Sequence, residues 1–200
     1  MGFRVAWIAR AGESLQELLS VSDRTLTGEC HDFPERGWYL LEIRRADRQS
    51  WVVLIADGSD NFCDLSESQA QTLSENSNET IFFCCTDTAM ATRLTLFKNG
   101  SLSWSIDYEC SNKQRLPVMK GVVPEVTHEI LKDLRAKQQV EDLQPNSNFA
   151  CDHIYDLTAE LGWRLVGFRH DTDLEVGDPR PFQLLGESKP MKPWWRIWNR

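Results

Sequence analysis

The stretch ATRLTLFKNGSLSWSIDYE, residues 91–109, commits the chain to an antiparallel sheet. Asn99-Gly100 suits the positive φ values of a two-residue type I′ turn. On either side apolar residues alternate with polar ones: Leu94 and Leu96 before the turn, Leu102, Trp104 and Ile106 after it. A period of two puts each set on one face of a pleated strand, so the segment predicts a hairpin with a buried face.

The rest of the chain follows the same grammar. FRVAWIARA carries Phe3, Val5 and Trp7 on one face of a strand. In GESLQELLSVS, Ser14 and Glu17 form a capping box ahead of Leu15, Leu18 and Leu19 on one helical side. GWYLLEI (37–43) and WVVLIA (51–56) are β-rich runs joined by RRADRQS, a second hairpin, and TIFFCC is a further strand. Between them LSESQAQTLSEN predicts a short polar helix capped by Ser66. After Pro124 the spacing of Val126, Ile130, Leu131 and Leu134 is helical. A second helix carries Ile154, Leu157, Leu161 and Leu165, with Gly162 either ending it or tolerated inside it. The order β-α-β-β-α-β-β-β-α-α has no regular βαβ alternation. It predicts an α+β fold, a mainly antiparallel (mixed) sheet with helices packed on one face. We expect one domain over 1–170, then an extended strap and a Trp-rich basic tail over 171–200, packed on the body.

Charge singles out that tail. The chain has a net charge of −8. KPMKPWWRIWNR, residues 189–200, holds four cationic groups, no acid, and three of the eight tryptophans: Trp194, Trp195 and Trp198. Without Lys189, Lys192, Arg196 and Arg200 the body keeps 18 basic against 30 acidic residues, or −12. Such a body repels nucleic acid phosphate and anionic lipid. It is compatible with a basic protein partner, or with solubility alone. Packing of the three rings on the body would bring their cations to the acidic surface. An amphipathic membrane anchor is the competing reading of the tail. The start of the chain is interrupted by Arg4, Arg10 and Glu13, which does not resemble a secretory leader, and no run of about 18 apolar residues suggests a span. We expect a cytoplasmic protein with six free thiols.

Local catalytic signatures are missing from the sequence. Cys30-His31 and Cys151-x-His153 lack the repeated two-to-four-residue ligand spacing of a zinc site. In HDTDLEVGD an EF-hand numbered from Asp171 would put Val176 and Phe182 where Gly and Glu are required. No Gly-x-Ser-x-Gly, P-loop or Gly-x-Gly-x-x-Gly occurs. We therefore expect no cofactor, no metal and no catalytic residue. For partner binding the candidates are Trp194, Trp195 and Trp198 with the acids Asp57, Asp60, Asp171 and Asp173.

Gly2-Phe3 with Trp7-Ile8-Ala9, Thr27-Gly28-Glu29, Gly37-Trp38-Tyr39-Leu40-Leu41 and Gly167-Phe168-Arg169-His170-Asp171 resemble an uncharacterised family of bacterial cytosolic proteins of similar length. That resemblance covers about residues 1–171 and implies no activity or catalytic residue. A looser likeness of class is to the immunity proteins of bacterial toxin systems, which are acidic α+β domains. It implies a non-enzymatic protein-binding protein that neutralises a basic toxin or effector by surface complementarity. The alternative is a small-ligand protein or enzyme with a site between sheet and helices, drawing on His31, Asp57, Asp60, His153, His170 and Asp171. Exposed strand edges would also allow a homodimer.

Overall fold

The computed structural model describes residues 4–12, 15–32, 36–45, 49–58, 61–75, 79–110, 115–143, 152–172 and 182–187. The Ser14 cap, Cys151, Asp60, Asp173 and the three tail tryptophans lie outside them. The described residues form β1 (Arg4–Ala11), α1 (Leu15–Ser22), β2 (Arg24–His31), β3 (Gly37–Arg44), β4 (Ser50–Asp57), α2 (Glu67–Leu73), β5 (Glu79–Thr86), β6 (Ala91–Lys98), β7 (Ser101–Glu109), β8 (Val118–Gly121), α3 (Val126–Asp142), α4 (Leu157–Val166) and β9 (Phe182–Glu187). The nine strands make one sheet in the order β2-β9-β3-β4-β1-β5-β6-β7-β8. Every pairing is antiparallel. The fold is α+β, as the sequence predicts.

Local chemistry accounts for the predicted elements. Asn99 and Gly100 have φ of 52° and 70°, and Lys98 pairs with Ser101 across the turn. β3 and β4 pair from Gly37–Asp57 to Arg44–Ser50. Ser66 caps α2 with Gln69 as its reciprocal partner, and the Gln69 side chain also donates to the Val21 carbonyl at 2.8 Å, tying α2 to the end of α1. α4 runs through Gly162 and ends at Gly167, which is left-handed at φ 85°. Gly162 is needed for closeness: a Cβ there would sit 3.0 Å from Cζ2 of Trp7. The Trp7 ring stacks on Phe83 with centroids 5.1 Å apart and meets the edge of Phe168.

Helices cover both faces of the sheet, and the expectation of a single covered face is corrected. On one face Leu18 of α1 and Ala70 and Leu73 of α2 pack with Ala6, Ile8, Leu40, Leu54 and Phe82. On the other, Ile130, Leu131 and Leu134 of α3 and Leu157 and Leu161 of α4 pack with Trp7, Val53, Ile55, Phe83 and Leu94. The physical reason lies in the central strands. WVVLIA and TIFFCC are apolar at successive positions, and a strand buried on both sides shows no alternation. Cys84 and Cys85 accordingly point to opposite faces.

Three strands were not predicted. β2 and β8 are the sheet edges and largely exposed, so they bear little hydrophobic pattern. β9 comes from the segment read as a strap. Its residues lie between β2 and β3, with Phe182 and Leu185 buried on opposite faces. Residues 182–187 therefore form an interior strand of the body. No helix among the described residues is long and apolar enough to cross a membrane.

Candidate functional site

Strand alternation gathers the polar groups of interest at one end of the sheet, where β1, β2, β3, β6 and β8 begin and β4, β5, β7 and β9 end. The two faces differ there. On the α3/α4 face a buried cluster surrounds His170. Its Nε2 lies 3.4 Å from Sγ of Cys85, and its ring is tilted over Phe83 at 5.3 Å. Burial pulls the imidazole down to about 4 and pushes the Cys85 thiol up. Both groups are neutral near pH 7, the reverse of the thiolate and imidazolium that a cysteine nucleophile uses. Beside them the Tyr155 hydroxyl donates to Asp87 Oδ1 at 2.7 Å.

Asp171 belongs to this face and is already engaged. Arg169 grips it with two bonds, 2.6 Å and 2.9 Å, and also bonds Glu160 at 2.9 Å. Burial works to raise the Asp171 carboxyl, but the Arg169 bond and the His170 and Arg169 charges outweigh it and hold the carboxyl low. Close by, the Tyr108 hydroxyl bonds Asp152 Oδ2, while Asp152 Oδ1 caps the Ile154 N–H of the 3-10 turn His153–Asp156.

The α1/α2 face carries two recesses. The first, about 600 Å³, lies between the end of α1, the 3-10 turn Phe62–Asp64 and the edge of the sheet, lined by Val21, Ser22, Asp23, Arg24, Trp38, Asp64, Gln69 and Glu187. Among the described residues that line it are three acids and one cation. Arg24 lies over the Trp38 ring, 5.0 Å from the centroid, and 3.9 Å from Glu187. The loop after Asp57 leads into this turn, with Asn61 Nδ2 bonding the Asp57 carbonyl at 2.9 Å. Burial raises the Asp57 carboxyl.

The second recess, about 380 Å³, opens over β5 to β8, with Phe62, Ala91, Leu116 and Val118 among its walls. Arg93 sits in it, bonded to Asp107 and, at 3.1 Å, to Glu67 of α2; Glu67 also accepts from Thr95 at 2.8 Å. Cys84 lines the floor, its thiol pushed up to about 11 by burial.

The candidates named from sequence are thus distributed, not assembled. Asp57 ends β4 on the side of Val5 and Ile55, outside the acidic recess, Asp171 is held by Arg169 on the α3/α4 face, His31 lies at the far end of β2 against Tyr39 at 5.7 Å, and His153 begins the 3-10 turn under α3. Sequence reasoning missed Asp23, Asp64, Glu187, Arg93 and Asp107. Their partners come from remote strands and no local spacing marks them. Among the described residues no group of three or more His, Cys, Asp or Glu is placed to hold a metal ion, and Cys30, Cys63, Cys84, Cys85 and Cys110 are free thiols. Comparison with family models, with curated proteins and with solved structures found no match.

Proposed function

We propose that this chain is a binding protein that masks a basic protein partner by surface complementarity, in the manner of an inhibitor or of an immunity protein facing a basic toxin. The observation that carries the reading is the acidic recess. Among the described residues Asp23, Asp64 and Glu187 line about 600 Å³ together with Arg24, which lies over Trp38. A lysine or arginine side chain entering from a partner meets carboxylates and an apolar ring. The net charge of −8 extends the attraction and speeds encounter.

The test is affinity capture from the source organism's lysate with the wild type and with Asp23→Lys/Asp64→Lys, at low and high salt. A stoichiometric basic protein held by the wild type, released by salt and not retained by the double variant, supports the reading. Equal capture of that protein by the double variant refutes it.

A further inference from the structure

The second recess has apolar walls that nothing among the described residues covers. Leu116 and Val118 are 45% and 53% exposed, and Val118 stands on the edge strand β8. The rim is acidic. Asp107 and Glu109 line the recess with Glu67 close by, while Arg93, the one cation among the described lining residues, is bonded to two of those carboxylates. An occupant that satisfies both properties presents an apolar ring flanked by cations.

Such a segment belongs to the chain itself. β9 ends at Glu187 at the same end of the sheet as the recess, six strand positions from β7. At about 4.8 Å per strand that is a span of about 29 Å. Extended chain covers about 3.4 Å per residue, so from Glu187 it reaches about 24 Å at Trp194 and about 37 Å at Trp198. Arg196 and Arg200 flank the ring of Trp198. We infer that the segment 189–200 docks in this recess of its own chain, with Trp198 between Phe62 and Val118 and Arg196 or Arg200 at Asp107 or Glu109. Tethering favours it over an untethered competitor through an effective concentration in the millimolar range.

The test uses the full chain with Val118→Asp and, separately, Glu109→Lys, both exposed positions. Trypsin cleavage after Arg196, the basic residue of the segment followed by neither proline nor the chain end, is followed together with tryptophan emission. Docking predicts that Val118→Asp speeds cleavage by at least about tenfold, since cleavage of a docked segment tracks its open population. It also predicts a red shift in emission that disappears when Trp194, Trp195 and Trp198 are all Phe. Glu109→Lys should give a smaller acceleration that added salt abolishes. Leu26→Asp, at an exposed apolar position on the opposite edge, should change neither reading. Equal cleavage and emission in wild type and Val118→Asp would overturn the inference. So would wild-type protection that fades on dilution, because the recess would then be filled by a second copy.

Discussion

Protonation of His170 should make stability fall with acid over a window that the structure sets. The imidazole ordinarily titrates near 6.5, and in the fold burial beside Phe83 and Cys85 lowers it to about 4. The Asp171 and Asp87 carboxylates favour the charged ring and Arg169 opposes it, but desolvation is the largest effect. Above pH 6.5 the ring is neutral folded and unfolded, and contributes no pH dependence. Below it the unfolded chain takes up a proton that the folded chain refuses, so stability drops until the folded ring also protonates near pH 4. The shift of about 2.5 pH units corresponds to a loss of about 3 kcal/mol, accrued at about 1.4 kcal/mol per unit. Urea unfolding of the wild type and of His170→Gln at steps between about pH 7 and pH 4 isolates this ring, because the variant differs from the wild type only in that titrating group. The wild type should lose about 3 kcal/mol more than the variant across the window. Parallel stability curves would refute the argument, as would an NMR titration placing His170 near its ordinary value.

Two glycines give further checks. Gly162→Ala puts a methyl group against Trp7, a ring already held by Phe83 and Phe168; overpacking should cost about 1–3 kcal/mol, partly offset by about 1 kcal/mol of helix propensity, and is read as a lower urea midpoint with unchanged slope. Gly121→Ala drives a Cβ into the Ser103 carbonyl oxygen at φ +72°, so β8 must part from β7 there. Amide exchange should accelerate in residues 118–121 and leave β1, β4 and β5 protected.

What was legible in the sequence was local. The Asn99-Gly100 turn, the Ser66 cap and the spacing of Ile130, Leu131 and Leu134 each place chemistry within a few residues, and each predicted element forms there. β2 was illegible because RTLTGECH lies exposed on an edge and breaks register between Leu26 and Cys30, which leaves no buried alternation. β9 was hidden by brevity: six residues in a proline-rich stretch, made a strand by neighbours more than 140 residues earlier in the chain. The covered second face was present in the unbroken apolar runs WVVLIA and TIFFCC. Reading Val5 and Trp7 as the one apolar stripe of β1 set aside Ala6 and Ile8, which are equally buried. The contact between Cys85 and His170, like the acidic recess, joins residues too distant in sequence for any spacing to declare.

The position of β9 bears on how the chain is made. A ribosome delivers β1 through β8 and α1 through α4 before residues 182–187 emerge, yet those residues separate β2 from β3 in the finished sheet. Until then β2 has no strand partner and β3 presents a naked edge whose Trp38 and Tyr39 will later be buried. Final closure of the body must await residues 182–187. A nascent chain that stalls or is released early would display an unpaired apolar strand, the kind of surface that chaperones and proteases recognise.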